Sequence, residues 1–197
     1  MNRLRAAPIT PGGREEKQML SKFPRKLAAT AFACALAFGQ AFGTTARGVE
    51  FNLRTVDGGS ITAEMLRGDV VVLAFGASWL PLSRRQVEGV QGLADEYRDR
   101  DLRVYWVSTD SEKPQSKNYA TDDQIRSFAR KHGLKVAVLR DPDGALFRTM
   151  GVERNQLPAV VVIDREGNVA ETIGGLDPEG NLVAKLAPRL GKFFAAR

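Results

Sequence analysis

The chain is 197 residues long, 43% hydrophobic and 26% charged, enough to bury one good core and too little to suggest a second domain of useful size. Its net charge of +6 does not point to nucleic acid. Residues 1–43 alone hold seven Lys/Arg against two Glu, and the rest carries 22 basic and 21 acidic residues, without the concentrated positive field that a phosphate backbone needs.

The polar, basic start runs into Leu27–Gly43, an Ala/Phe/Leu stretch short for a spanning helix and interrupted by Thr30, Gly39 and Gln40. Residues 1–43 read as a secretory signal. Lys22, Arg25 and Lys26 form its basic region, Ala41-Phe42-Gly43 places small residues where a signal peptidase cuts before Thr44, and Met19 as the true start gives a signal of ordinary length. The rival is an uncleaved membrane anchor. The sole cysteine, Cys34, follows Ala33 as a lipidated cysteine would, but the apolar run continues to Phe42, whereas lipidation sites normally end it. Cleavage after Gly43 leaves no cysteine, and so no disulfide framework, CxxC pair or thiolate metal site. No metal or cofactor is expected.

Residues 44–50 read as a linker into a domain at 51–197. Phe51-Asn52-Leu53 and Ser60-Ile61-Thr62 flank Asp57-Gly58-Gly59, the pattern of a small hairpin. Val70–Phe75, Val104–Val107 and Ala159–Ile163 are continuous apolar runs, as strands buried on both faces are. A helix is predicted over Ser83–Tyr97, with Val87, Val90, Leu93 and Tyr97 on one stripe and Ser83 with Gln86 as a capping box. Asp110–Asp122 reads as a mobile surface loop bordering the site. A second helix covers about Asp122–His132, announced by Thr121-x-x-Gln124 and stopped by Gly133. A short strand near Val136–Leu139, the turn 141–144, a short helix around Ala145–Met150 and a strand at Val169–Ile173 follow. A last helix runs from about Pro178 toward Phe194, with Pro188 expected to kink or divide it. This order predicts an α/β domain: a mixed sheet with helices on both faces and an N-terminal hairpin.

With the elements in order, the chain resembles the TlpA/ResA-like thioredoxin family, exported thiol-disulfide oxidoreductases often tied to cytochrome c maturation. The resemblance covers essentially the whole domain. Its pieces are the leading Phe51-Asn52-Leu53, then Leu66-x-Gly68-Asp69, Phe75-Gly76-Ala77-Ser78-Trp79, Gly151-Val152, and Leu157-Pro158 leading into AVVVID, with Gly167 in the turn after Asp164. Peroxiredoxins share parts of this frame. The resemblance implies a thioredoxin-like fold with a Trp-Cys-x-x-Cys motif at a helix start, where the helix N-terminus stabilises a thiolate. Here that stretch reads Trp79-Leu80-Pro81-Leu82-Ser83-Arg84. Leu80 and Ser83 stand at the two cysteine positions, and Gln86 stands where this branch often has a proton-managing Glu. A peroxidatic cysteine would also fall on Leu80.

Ser83 as a nucleophile would need a base, and the only histidine, His132, ends another helix; a helix cap is the simpler role. Arg84 and Arg85 are read as a solvated first turn, with an anion site as the rival. Asp141, Asp143 and Gly144 lack the remaining spacing of a calcium loop, and a Pro-Asp-Gly turn explains them. The resemblance further implies that Pro158 follows a cis bond facing the site, with Leu157 offering backbone groups to a peptide. The expectation is a redox-inactive module of the bacterial periplasm, secreted or membrane-anchored, that binds a protein or peptide of the cell envelope at Trp79, Leu80, Pro81, Leu82, Leu157 and Pro158. The alternatives are an oxidoreductase or peroxiredoxin-like protein working with a partner's cysteines, and an inert structural domain.

Overall fold

The computed structural model describes residues 48–177 and 180–195. The chain divides after Gly43, and all described residues belong to the second unit, Thr44–Arg197. The expected signal and cleavage site, Cys34 and the expected Pro178 start of the last helix lie outside the described residues. Of the expected linker, residues 48–50 are described and dock onto the domain, with Val49 N donating to Gly167 O at 2.8 Å.

The hairpin is β1 (Asn52–Arg54) paired antiparallel with β2 (Ser60–Thr62), Leu53 facing Ile61. Gly58 and Gly59, at φ of +95° and +84°, supply the left-handed turn between them. The main sheet contains β3 (Val70–Gly76), β4 (Leu102–Ser108), β5 (Val138–Arg140), β6 (Ala159–Ile163) and β7 (Val169–Ile173), in the order β5-β4-β3-β6-β7. The strands β4 and β5 run parallel to β3 and to each other, and β6 is antiparallel to β3 and to β7. All seven residues of β3 are buried, which is why its sequence is uniformly apolar and not alternating.

Helices α1 (Ser83–Glu96) and α2 (Asp122–Lys131) connect β3 to β4 and β4 to β5. Both crossovers step the same way across the sheet, so right-handedness puts both helices on one face. There Val87, Val90 and Leu93 of α1, Ile125 and Ala129 of α2, and Leu182, Leu186 and Leu190 of α4 (Leu182–Ala195) pack on Val72, Ala74, Trp106 and Val162. The return to the far side of β3 carries α3 (Ala145–Thr149) over the opposite face. On that face Leu146, Phe147 and Met150 join Leu73, Phe75, Val161 and hairpin residues Leu53 and Ile61. Helices therefore cover both faces, but unevenly, with the hairpin filling the second.

Two local expectations change. Ser83 does not cap α1: the N-cap is Leu82, already helical and without a side-chain bond, because the turn Leu80–Ser83 is closed beforehand by Ser83 N donating to Leu80 O. And α4 is not divided at Pro188. Proline inside a helix costs about 3 kcal/mol, but Leu186 and Leu190, on either side of it, are wholly buried, and each contributes roughly 1.5–3 kcal/mol of burial. The Thr121–Gln124 capping box of α2 forms as expected.

The contact of α1 with α4 is close. A Cβ added at Gly89 would lie 2.7 Å from Leu182 Cβ, whereas one at Gly191, on α4, would meet nothing within 4 Å. Gly89→Ala is therefore expected to lower stability by about 1–3 kcal/mol through overpacking. Gly191→Ala is expected to raise it by about 0.5–1 kcal/mol through helix propensity. Urea melts of the two variants read this directly, and shifts of the same sign would contradict the packing.

Candidate functional site

Three parallel strands end side by side at Gly76, Ser108 and Arg140, the edge of an α/β sheet where polar side chains can converge without breaking the core. Beyond Gly76 the chain turns sharply into α1. Gly76 O accepts from Thr109 N at 2.8 Å and Thr109 Oγ1 at 3.1 Å, and Leu80 N donates to Ala77 O at 3.0 Å. Ser83, fully buried, accepts the Ala77 N–H on its hydroxyl at 3.1 Å.

Beneath this turn lies Gln86, also fully buried. Its Nε2 donates to Phe75 O at 3.2 Å and Ala159 O at 2.9 Å, and its Oε1 accepts from Trp106 Nε1 at 3.0 Å. Every polar atom of the side chain is satisfied inside the core, which is the condition for keeping an amide there. Gly76 makes room for it. A Cβ at Gly76 would stand 2.5 Å from Gln86 Oε1, 2.9 Å from Ser83 Oγ and 3.0 Å from Trp106 Nε1.

The outer part of the turn is held from the other side. Asp110, 1% exposed, accepts from Ser78 N at 2.9 Å, from Ser78 Oγ at 2.8 Å and from Ser108 Oγ at 2.8 Å. Ser108 Oγ in turn accepts from Arg140 Nη1 at 3.0 Å. Arg140 is buried, its Nη2 donating to Ala120 O, with the carboxylates of Glu112 and Asp122 at 3.6 and 3.4 Å. Burial pushes the Arg140 guanidinium below its ordinary pKa, against the pull of those two carboxylates. Arg54 of β1 bonds both acids as well, and its guanidinium holds Asp122 below the usual carboxylate range.

Of the six expected binding residues, Trp79, Leu80 and Leu157 line one small cavity of about 80 Å³, shared with Asn118, Phe147 and Arg154. Trp79 is 53% exposed, whereas Leu80 and Leu157 are half-buried. Pro81, exposed, and Leu82, half-buried, stand outside the cavity lining. Pro158 is buried and follows a cis peptide bond, as the resemblance implied.

The segment after Asp110 borders the cavity through Asn118. It is closed on itself, with Ser111 N donating to Asn118 O and Ala120 N to Ser111 O. Ser83 has no imidazole or carboxylate among its hydrogen-bond partners, and His132 packs edge-on against Phe128 with 4.8 Å between ring centroids. Asp141 caps α3, accepting from Leu146 N and Phe147 N.

Asp110, Asn118, Phe147 and Arg154 were not singled out by the sequence reading. One signal was available for Asp110: a carboxylate two residues beyond a buried parallel strand sits where such sheets place their site residues. Asn118 lies in the Asp110–Asp122 segment expected to border the site, and nothing local marks Phe147 or Arg154.

Residues 44–172 match the AhpC/TSA family. The thiol-disulfide oxidoreductase ResA of Bacillus thuringiensis (strain Al Hakam) is 26% identical over 125 residues, covering 64% of this chain and 66% of that protein, so the match spans just under two thirds of that relative. The thioredoxin-like protein YneN of Bacillus subtilis is 25% identical over 139 residues, covering 70% of this chain and 75% of that protein. The pneumococcal exposed lipoprotein thioredoxin Etrx1 of Streptococcus pneumoniae strain TIGR4 superposes with a TM-score of 0.56 at 26% identity, covering 71% of this chain and 99% of that one. The one cysteine of the chain, Cys34, precedes the matched residues. With its thioredoxin-like sheet and its likeness to ResA, the chain belongs to the AhpC/TSA family and carries that family's fold without a cysteine in the matched region.

Proposed function

We propose that this domain is an exported, redox-inactive binding module that holds a protein or peptide segment of the cell envelope at the Trp79, Leu80 and Leu157 surface. One observation carries the reading: the two positions that thiol chemistry requires hold Leu80 and Ser83, and the Ser83 hydroxyl is buried and engaged by Ala77 N. Thiol-disulfide exchange needs a thiolate able to reach a second sulfur, and residues 44–197 contain none. What remains is a surface indole beside a half-apolar cavity, next to Leu157 and a cis proline. An exposed aromatic of this kind is a favoured anchor at interfaces. ResA is named a thiol-disulfide oxidoreductase and Etrx1 an exposed lipoprotein thioredoxin; carried to this chain, those names favour an envelope setting, including envelope redox or cytochrome maturation. Among the described residues no helix is long and apolar enough to cross a membrane. A role as an oxidoreductase that borrows its partner's cysteines is the second reading.

The redox-inactive reading is tested in an insulin-reduction assay of the native protein alone. The second reading is tested by repeating it with the cross-linked partner added, where turnover that depends on this domain would favour the second. The native protein is expected to be inactive, and turnover by it would refute the redox-inactive reading. Leu80→Cys with Ser83→Cys is expected to form a reversible intramolecular disulfide, because the two positions span one closed turn at the start of α1. Failure of these cysteines to pair in a folded variant would show that the site is aligned wrongly.

Adding Gln86→Glu, by contrast, is expected to harm the fold. A carboxylate there would face Phe75 O and Ala159 O, two acceptors it has no proton to bond. The variant is expected to lose about 1–3 kcal/mol at neutral pH. Its Glu pKa would be raised in the folded state, so the loss should be smallest below about pH 4, where the protonated acid still donates to one of the two carbonyls, and grow as the pH rises toward the folded pKa. Melts across pH measure it, and a pH-independent cost would contradict the two-carbonyl geometry.

Export and binding share one experiment. Protein recovered from the envelope is expected to have the intact mass of a chain starting near Thr44 with no alkylatable thiol, and to cross-link a reproducible partner that Trp79→Ala loses. A retained Cys34, free or lipidated, would restore the anchor or lipoprotein reading. Cross-links indifferent to Trp79 would remove the binding surface.

A further inference from the structure

The cavity beside Trp79 is selective in two ways. Its volume of about 80 Å³ is roughly half that of an apolar protein cavity known to hold a benzene ring, about 150 Å³. That space is on the scale of a Val, Leu or Ile side chain and smaller than the cavity that holds an aromatic ring. Its apolar walls are Trp79, Leu80, Phe147 and Leu157, and its one charged lining residue is Arg154.

Arg154 is unusual among the nearby arginines. Arg54, Arg140 and Arg148 all donate to carboxylates or carbonyls of this chain. The exposed guanidinium of Arg154 has no hydrogen-bond or ion-pair partner among the described residues. The neighbouring acid, Glu153, precedes the short 3-10 turn Arg154–Gln156 and donates its backbone N–H to Gln156 Oε1 at 2.8 Å, and no ion pair joins its carboxylate to Arg154. With 22 basic and 21 acidic residues beyond position 43, no general field of the domain duplicates this local charge.

We infer that the pocket takes one branched aliphatic side chain from an extended segment of a partner protein, and that an Asp or Glu beside that residue pairs with Arg154. The inference rests on the binding-module reading and adds to it the chemistry of the bound segment. Arg154 and Leu157 lie three residues apart on one turn and line the same cavity, so a carboxylate next to the inserted side chain falls within reach of the guanidinium.

A random peptide library displayed between fixed flanking sequences, so that every available carboxylate belongs to a side chain, tests this on the purified protein. Selections run in parallel on native protein, Trp79→Ala and Arg154→Gln, both substitutions being at exposed positions that should leave the fold intact. Peptides held by the native protein and lost with Trp79→Ala are expected to carry Asp or Glu beside Leu, Val or Ile about threefold above library frequency, the scale of an exposed ion pair. Arg154→Gln should erase the acidic preference and keep the aliphatic one. Trp79-dependent peptides without acidic enrichment, or with enrichment that survives Arg154→Gln, overturn the inference while leaving the docking surface in place, and enrichment of aromatic residues in place of aliphatic ones overturns the size argument. If no selected peptide depends on Trp79, the docking surface itself is refuted, and this inference falls with it.

Discussion

The amide of Gln86 joins three strands at one buried point. It donates to the carbonyls of Phe75 in β3 and Ala159 in β6 and accepts from the indole of Trp106 in β4. Only a side chain with two donor hydrogens and an acceptor on one planar group can do this; a carboxylate lacks the donors and a hydrophobe would leave two carbonyls bare. Gly76 is tied to the same point, since any side chain there would displace Gln86, Ser83 and Trp106 together. Ala159 follows Pro158 directly, so the hydrogen bond that steadies the core also sets where the Leu157–Pro158 edge lies relative to the Trp79 turn.

A second chain of polar contacts crosses the carboxyl end of the sheet. It begins at Arg54 in the hairpin, passes through Glu112 and Asp122 to Arg140, then through Ser108 to Asp110 and finally to Ser78, next to Trp79. Buried charge is costly unless it is paired and bonded, and Arg140 meets that condition at its two terminal nitrogens, while its Nε faces Asp122 at 3.4 Å without hydrogen-bond geometry. The hairpin is thus more than a lid on the second core. Through Arg54, and through the backbone bond of Val56 N to Val138 O, it is connected to the residue that holds the Trp79 turn.

How much of this the sequence revealed depended on the range of the interaction. Strand and helix positions follow from local periodicity: β6 lies on the apolar run Ala159–Ile163 and β7 at the expected Val169–Ile173. The Thr121 capping box is a contact over three residues and was legible. Ser83 presented the same pattern with Gln86, yet both side chains turn into the core, because the preceding turn is already closed and buried acceptors and donors wait for them. Asp110 meets a residue 32 positions away and Gln86 one 73 positions away, separations that no local pattern encodes. Pro188 reads as a kink or a break, and the division is ruled out only once the burial of Leu186 and Leu190 is known.

The placement of the two tryptophans makes the protein its own optical reporter. Trp79 stands half in solvent at the mouth of the cavity, whereas Trp106 is sealed in the core with its N–H on Gln86. The indoles therefore sit in environments of opposite polarity, one at the surface where a partner would cover it and one that meets water only when the sheet opens. Intrinsic fluorescence of this domain carries two signals: quenching by small solutes addresses the surface indole, and the blue-shifted remainder follows the integrity of the core.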